Sequence, residues 1–284
     1  MIELGKYNTL KVVKKLDFGI YMDGGNGLEI LMPKRYVPTG TKVGDELRCI
    51  VYRDSEGRLL ATTERAEATV GEFASLRVIE VNEVGAFLDW GVSKELLVPH
   101  REQAVPMQAG RRYIVHIYVD ERTERIVGSA RLRRFLDNVP PQYEPNEEVE
   151  ILVMSVTPLG YKVIINNLHT GMLYRNQIFR PIAIGDRLRA YVKQVREDDK
   201  IDLSLQPIGY QAMVDGVEAA ILKALHLNNG FLNIGDKSDP EVIAGILRCS
   251  KKSFKKAAGA LYKQGRIRIT DEGIYLLSED DVED

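Results

Sequence analysis

The chain has 284 residues, so two to four domains are expected, and its 44% hydrophobic and 28% charged residues are typical of a folded globular protein. No apolar run approaches the roughly 18 residues of a membrane span, and a net charge of −2 argues against a uniformly basic surface that coats a duplex. Cys49 and Cys249 form no CxxC pair and the four histidines lack metal-ligand spacing, so no cofactor, metal site or disulfide framework is indicated. The first residues lack the basic and apolar regions of a signal peptide, which predicts a cytoplasmic protein.

Three sets of landmark residues repeat along the first 207 positions. Gly19, Gly85 and Gly160 are spaced by 66 and 75 residues. Two further sets keep the same two spacings: Gly44, Gly110 and Gly185, and Pro33, Pro99 and Tyr174. Three independent sets with one pair of offsets predict three copies of one structural unit.

Each copy predicts five short β-strands, because apolar residues alternate and turns rich in Gly, Asn and Asp separate the runs. In the third copy the strand-like runs cover residues 147–156, 159–166, 170–174, 186–195 and 200–205. A sheet this small leaves two unpaired edges unless it closes on itself. A closed or partly open barrel of five strands is the OB-fold architecture.

Helical periodicity replaces the strand alternation after residue 208. Val214, Val217, Ile221 and Leu225 recur at spacings of three and four residues, which predicts a helix over 211–227 with one apolar stripe.

Capping signals predict two more helices and a hairpin. A capping side chain, a proline and an acid at 238–241 begin one helix. Ser250 is expected to cap the next helix, and Gly265 to end it in the left-handed conformation. The apolar face of that helix is predicted to comprise Phe254, Ala257, Ala258, Leu261 and Tyr262. Residues 266–277 then predict two strands joined by Asp-Glu-Gly, and three helices with a terminal hairpin form a winged helix-turn-helix.

The predicted fold class is multidomain, mostly β plus α: three tandem five-stranded OB-fold barrels and a C-terminal winged helix. The predicted bounds are 1–65, 66–135 and 143–207 for the barrels, 210–278 for the winged helix and 279–284 for an acidic tail. The segment 137–145, DNVPPQYEP, is short and proline-rich, which predicts a restricted orientation between the second and third barrels.

Each of the three units resembles the S1 RNA-binding domain. The segments that carry the resemblance are DFGIYM at 17–22, EVGAFLDW at 83–90, PLGYKVII at 158–165, and Gly-Asp at 44–45 and 185–186. The family's aromatic before the strand-two glycine is present as Phe18, whereas Val84 and Leu159 stand there in the other copies. The resemblance implies S1-like barrels that bind RNA.

Tandem S1-like barrels followed by a winged helix resemble the bacterial conserved virulence factor B family. The most specific stretch is KKSFKKAAGALYKQGRI at 251–267. This resemblance implies RNA binding with a role in regulating gene expression after transcription.

Candidate RNA-binding residues lie on the predicted second and third strands, where an OB barrel exposes its binding platform. Single strands bind to basic grooves and to aromatic faces on which bases stack. The candidates are Phe18, Tyr21, Lys34 and Arg35 in the first barrel, Phe87, Trp90, His100 and Arg101 in the second, and Tyr161, Lys162, Tyr174 and Arg175 in the third. Half of a strand's side chains face the core, so each aromatic has a purely structural alternative. Trp90 has the further alternative of packing at a barrel mouth or between domains.

The winged-helix region has the strongest charge asymmetry of the chain. Residues 248–270 contain eight basic residues and no acidic one, and the last six residues contain five acids. Uncompensated cations repel one another unless an anion lies nearby, which favours a phosphate partner over a solubilising lysine face. The candidate contacts are Lys251, Lys252, Lys255, Lys256, Arg266 and Arg268. The acidic tail is predicted to be disordered and to compete weakly for this patch.

Together these features predict a non-catalytic protein that binds single-stranded RNA and regulates gene expression after transcription, with DNA as a weaker partner and no membrane partner. Asp198, Asp199 and Asp202 form a sequence cluster of carboxylates, but they fall at a predicted hairpin turn and no catalytic motif accompanies them. Two alternatives stay open: a duplex-DNA-binding transcription regulator, and a protein-interaction scaffold for the translation or RNA-decay machinery.

Overall fold

The structure is a computed structural model that describes residues 2–175, 178, 181–207 and 210–277, with the backbone alone described over 210–215. The chain divides into two compact units, Met1–Leu205 and Gln206–Asp284. Among the described residues, the first unit contains three closed five-stranded barrels, and the second contains three helices and a small sheet. The predicted fold class is therefore confirmed.

The three barrels share one strand order, in which the third strand lies between the second and the fifth. The first barrel comprises β1 (Tyr7–Leu16), β2 (Gly19–Asp23), β3 (Glu29–Pro33), β4 (Glu46–Arg53) and β5 (Leu59–Thr62). The second comprises β6 (Phe73–Asn82), β7 (Gly85–Asp89), β8 (Leu96–Pro99), β9 (Arg112–Asp120) and β10 (Arg125–Ser129). The third comprises β11 (Glu148–Val156), β12 (Gly160–Ile165), β13 (His169–Tyr174), β14 (Arg187–Val195) and β15 (Ile201–Ser204). The third and fifth strands of each barrel pair in parallel, and this pairing closes the sheet.

Two of the repeated landmark sets mark a single contact between the second and third strands. The strand-two glycine pairs directly with the last residue of strand three: Gly19 with Pro33, Gly85 with Pro99, and Gly160 with Tyr174. A side chain at the glycine would press on the backbone of the neighbouring strand, against the carbonyl oxygens of Met32, Val98 and Leu173. The spacing that repeats in the sequence is thus a close backbone approach that repeats in the fold.

The third landmark set closes a bulge in the first strand of each barrel. The pairing register shifts after Val12, Val78 and Val153. At each bulge the N–H of a loop glycine donates to the carbonyl oxygen of that valine at a distance of 2.8 Å. The three glycines are Gly44, Gly110 and Gly185, in the order of the valines. These glycines have φ of +98°, +84° and +95°, which a residue without Cβ adopts at low cost.

The second and third barrels share an apolar interface. Its buried residues are Phe73, Ile114, Leu136, Leu152 and Ile164. Two contacts bind the connecting segment to the third barrel. Asp137 accepts a hydrogen bond from the Thr170 N–H at 2.7 Å, and the His169 ring lies 2.8 Å from the Val139 carbonyl oxygen. These contacts agree with the restricted orientation that the proline-rich segment predicts.

His116 lies in this interface, and the stability of the barrels is expected to depend on its protonation. Its ring stacks on Phe135 at 4.0 Å and packs on Phe73 at 4.6 Å, between ring centroids. Burial lowers the pKa of His116 from 6.5 to about 4. The unfolded chain therefore binds a proton more readily than the folded one between these values, and the free energy of unfolding falls as pH drops from 6.5 towards 4.

Urea unfolding at neutral pH and at mildly acidic pH measures this dependence, and His116→Phe provides the comparison, since it keeps a ring in the stack but carries no titrating group. We expect the variant to lose less stability than the wild type over the same interval. Equal losses in the two proteins would assign the acid sensitivity to other groups.

The second unit comprises α1 (Tyr210–Leu227), β16 (Phe231–Leu232), α2 (Pro240–Leu247), α3 (Lys251–Lys263), β17 (Ile267–Ile269) and β18 (Ile274–Leu276). Asp239 caps α2 by accepting from the Glu241 N–H, and Ser250 caps α3 by accepting from the Ser253 N–H. Gly265 has φ of +68°, and the next residue, Arg266, donates its N–H to the Leu261 carbonyl oxygen. The predicted caps are therefore confirmed.

Two features of this unit differ from the prediction, and two predictions fall outside the described residues. Tyr262 is 57% exposed, because it lies at the edge of the α3 stripe in the last turn, so its assignment to the apolar face is wrong. The short strand β16 was not predicted; it pairs with β18 and makes the sheet three-stranded. The Val214 side chain and the acidic segment 279–284 lie outside the described residues. In the described part of the chain, no helix has both the length and the apolar character needed to cross a membrane.

Candidate nucleic-acid interface

An outward-facing row of side chains crosses the second and third strands of each barrel. In the first two barrels it is apolar: Tyr21 pairs with Leu31, and Phe87 pairs with Leu97. These side chains are half-buried, whereas their strand neighbours point into the barrel and are buried. In the third barrel the row holds Lys162 opposite Met172. The strand alternation therefore places Tyr21, Phe87 and Lys162 on the outer face, as a binding platform requires.

In the first barrel an exposed aromatic lies beside exposed cations. Phe18 is 57% exposed and meets Tyr21 edge-to-face, with ring centroids 6.4 Å apart. The Lys34 N–H donates to the Phe18 carbonyl oxygen at 2.8 Å, so the basic 3₁₀ turn Lys34–Tyr36 begins next to this ring. Both Lys34 and Arg35 are exposed. Two stacking faces and two cations thus share one surface of the first barrel.

In the second barrel the four candidate residues differ in exposure: three are accessible at the surface and Trp90 is buried. Phe87 is half-buried, and His100 and Arg101 are exposed in the 3₁₀ turn His100–Glu102, where Arg101 forms an ion pair with Asp120 at 3.2 Å. Trp90 is only 2% exposed, and its indole N–H donates to the Lys94 carbonyl oxygen. It packs in the core of the second barrel. Trp90 therefore offers no exposed face for stacking, and its assignment to an open platform is corrected to the core alternative.

In the third barrel an ionic network lies beside the outer row, because Asp202 on β15 pairs with Met172 on β13. Asp202, which is 4% exposed, accepts hydrogen bonds from Arg196 at 2.9 Å and from the Tyr174 hydroxyl at 3.2 Å. Burial alone would raise the pKa of Asp202, but the hydrogen bonds from Arg196 and Gln194 outweigh it and hold that pKa below its usual value. Asp202 therefore stays ionised and neutralises the Arg196 charge.

The other two candidates of the third barrel, Tyr161 and Arg175, lie outside this network and differ in exposure. Tyr161 occupies the strand position that Ile20 and Ala86 fill in the other barrels and packs partly against the core. Arg175 is exposed directly after β13, and its N–H donates to the Leu159 carbonyl oxygen. The third barrel thus presents Lys162 and Arg175 as cations, whereas Tyr161 is half-buried against the core.

The carboxylate cluster does not converge on one point. Asp198 pairs with Lys200, Asp199 takes the left-handed turn with φ of +58°, and Asp202 belongs to the network with Arg196. Within the described residues no group of three potential metal ligands comes together.

The basic residues of the winged helix line the polar side of α3 and the start of the wing. Phe254, Ala257, Ala258 and Leu261 are buried along the opposite face of α3. Lys252, Lys255, Lys256, Arg266 and Arg268 are exposed. An acid from outside the basic window reduces the repulsion, because Lys255 pairs with Asp236 at 2.9 Å, while Lys251 donates to the Ser238 carbonyl oxygen. The Arg268 guanidinium lies 5.3 Å from the centre of the Tyr275 ring.

Three further residues belong to these surfaces and were not singled out in the sequence. Lys14, which pairs with Tyr21 across β1 and β2, holds its ammonium 5.7 Å from the centre of that ring. Arg53 lies at the end of β4 beside the outer row of the first barrel. Arg196 holds the network of the third barrel. The cross-strand register would have pointed to Lys14, whereas no sequence signal marks the other two.

Two protein-family models match segments of this chain. The S1 domain model matches residues 4–64 and 70–128, and the model described as the CvfB-like winged helix domain matches residues 219–276. The chain contains S1 domains and a CvfB-like winged-helix domain. These are nucleic-acid-binding families rather than enzyme families, so the comparison supports nucleic-acid binding.

Relatives match this chain over nearly its whole length. YitL of Bacillus subtilis (strain 168) is 26% identical, with 93% of this chain and 90% of YitL covered. Conserved virulence factor B of Staphylococcus aureus (strain N315) is 23% identical, with 95% of each chain covered. Among solved structures, a multidomain protein with nucleic acid binding domains from Streptococcus pneumoniae TIGR4 is 26% identical, with 96% of this chain and 98% of that chain covered at a TM-score of 0.40.

Proposed function

We propose that this protein binds single-stranded RNA without catalysing a reaction, and that it regulates gene expression after transcription. The observation that carries the proposal is the outer apolar row of the first two barrels. There Tyr21 and Phe87 lie at corresponding positions, next to 3₁₀ turns that carry the exposed cations Lys34, Arg35 and Arg101. Unpaired bases stack on such faces while cations follow the phosphates. The bases of a duplex are already stacked and cannot use this surface in the same way.

Several modules on one chain favour binding to an extended strand. Once one barrel holds the RNA, binding of the same strand by the next barrel is intramolecular. The overall affinity of the protein for RNA can therefore be high even when the affinity of each barrel is low. The packed interface around Phe73 supports this view, because it keeps the second and third barrels in one orientation.

The winged helix is proposed to add phosphate contacts. Exposed side chains on the polar face of α3 are mainly lysines, which bind phosphate as point charges and carry little sequence information. Base edges of a duplex are read by Arg or Lys at guanine and by Asn or Gln at adenine, and α3 contains no Arg, Asn or Gln. This composition favours the RNA proposal over a sequence-specific DNA regulator.

Replacing Lys251, Lys252, Lys255 and Lys256 with alanine is expected to weaken RNA binding and to flatten its salt dependence. Removing one lysine–phosphate pair reduces the slope of log K against log salt concentration by about 0.7. We expect a slope change of up to about 3 and an affinity loss of roughly 10- to 100-fold at moderate salt. Fluorescence anisotropy of a labelled single-stranded RNA over a salt series measures both quantities.

A matched control replaces four exposed barrel lysines, Lys11, Lys42, Lys193 and Lys200, and makes the same change in net charge. A similar loss in both variants would show that overall charge, rather than the α3 face, governs binding. Unchanged RNA binding in the α3 variant would favour the scaffold alternative for the winged helix.

A further inference from the structure

A cavity lies between the first and second barrels, on the outer row of the second. It has a volume of about 270 Å³, and its walls include Phe87, Leu97 and the buried Trp90 from the second barrel. Tyr52 and Arg53 from the end of β4 form the opposite wall. On the first barrel the platform along Tyr21 and Leu31 is an open groove. On the second barrel residues of the first barrel, from Tyr52 to Ser55, cover the corresponding platform, and we call the covered cavity the slot.

Two contacts between the barrels fix the covering residues of the first barrel over the slot. Arg53 forms an ion pair with Glu124 at 2.6 Å, and Arg125 donates to the Ser55 carbonyl oxygen at 3.0 Å. These two contacts tie the β4–β5 turn of the first barrel to the β9–β10 turn of the second. The slot is consequently a built feature of the paired barrels, with aromatic walls on both sides.

Arg53 also carries an unmet hydrogen-bonding group. Its Nε–H is buried and has no hydrogen-bond partner among the described residues. A buried donor without an acceptor destabilises the folded state, because its lost hydrogen bond to water is not replaced. Since Arg53 lines both the slot and the open groove of the first barrel, an acceptor bound at their junction would satisfy it.

We propose that this slot takes up one unstacked base of a bound RNA strand, an inference that rests on the proposed function. Phe87, which is half-buried, supplies stacking surface, and Arg53 supplies a donor for a base carbonyl or a phosphate oxygen. An apolar cavity of about 150 Å³ accommodates a benzene ring, so the slot has room for a pyrimidine or purine. The groove along Tyr21 leads to the slot past Arg53, which gives the strand a continuous path from one barrel to the next.

The chain's lone tryptophan makes the proposal directly testable. Trp90 lines the slot, so a base that enters it is expected to quench or shift its emission. Two signals are recorded for the same full-length protein: anisotropy of a labelled RNA of about 12 nucleotides, and Trp90 emission during titration with the same RNA unlabelled. Phe87→Leu is expected to weaken RNA binding by about 5- to 150-fold, the range for removing one base–aromatic stack, and to abolish the Trp90 response. Phe87→Tyr, which places in the second barrel the residue that the first has as Tyr21, is expected to keep both.

The outcomes separate this inference from the function on which it rests. RNA binding with an unchanged Trp90 spectrum would overturn the slot and leave RNA binding intact, as would a Trp90 response that survives in Phe87→Leu. No anisotropy change at any RNA concentration would overturn the proposed function and, with it, the slot as an RNA site. A saturating Trp90 response to adenosine or uridine monophosphate but none to RNA would also overturn it, in favour of a site for free nucleotides. Thermal unfolding of both Phe87 variants without RNA checks that they fold.

Discussion

Gly85→Ala is expected to disrupt the second barrel. The new Cβ would lie 2.9 Å from the Pro99 Cα and closer still to the Val98 carbonyl oxygen, and both obstacles are backbone that cannot rotate away. Gly85 also has φ of +153°, which L-residues rarely adopt. Overpacking and backbone strain each cost about 1–3 kcal/mol, so we expect a loss of roughly 2–6 kcal/mol, a large part of the 5–15 kcal/mol typical of a folded domain.

Trp90 reports this change, because it is buried in the core of the same barrel. Its emission should shift towards that of exposed tryptophan at a lower urea concentration than in the wild type. Gly110→Ala is the matched control in the same barrel, since Gly110 has φ of +84° but no atom within 4 Å of a new Cβ. The control is expected to cost about 1–2 kcal/mol from backbone strain alone. Equal effects of the two substitutions would contradict the close approach of β7 and β8.

Phe73→Ala is expected to destabilise the pair formed by the second and third barrels. Phe73 is fully buried in their shared interface and packs on the His116 ring. Truncating a buried phenylalanine costs about 3–5 kcal/mol, because apolar packing is removed and a cavity remains. The Phe73 backbone would keep its hydrogen bonds to Arg187 and Asn167, so the destabilisation comes from side-chain packing.

Urea unfolding measures the loss of stability, and proteolysis of the segment 137–145 tests whether the barrels come apart before they unfold. Phe18→Ala is the matched control: the same chemical change at a side chain that is 57% exposed should alter stability by less than about 0.5 kcal/mol. We expect Phe18→Ala to weaken RNA binding instead. A small effect of Phe73→Ala on unfolding and proteolysis would contradict the interface.

The architecture was predictable because its local signals agree with one another. The glycine spacings repeat since each copy needs the same close strand approach and the same bulge contact, as at Gly85 and Gly110. The caps at Asp239, Ser250 and Gly265 lie where the sequence places them, because capping depends on a few neighbouring residues. Strand β16, with two residues, is too short to produce an alternating pattern.

The candidate site was less predictable, because exposure depends on packing between distant parts of the chain. Trp90 matches a stacking residue by type and position, yet it is buried against the rest of its barrel. Lys255 falls in a window without acids, but the fold brings Asp236 to it from outside that window. The slot beside Phe87 exists only because the β4–β5 turn of the first barrel covers it, and no local pattern records that contact.

Competition among nucleic acids tests the central claim most directly. A labelled single-stranded RNA is bound to the full-length protein and displaced with unlabelled single-stranded RNA, single-stranded DNA or duplex DNA of the same length and sequence, over a range of salt. We predict that single-stranded RNA displaces the probe best, that single-stranded DNA is weaker, and that duplex DNA is weakest, with every affinity falling as salt rises. Stronger competition by duplex DNA, or failure of the RNA probe to bind at low salt, would contradict the account.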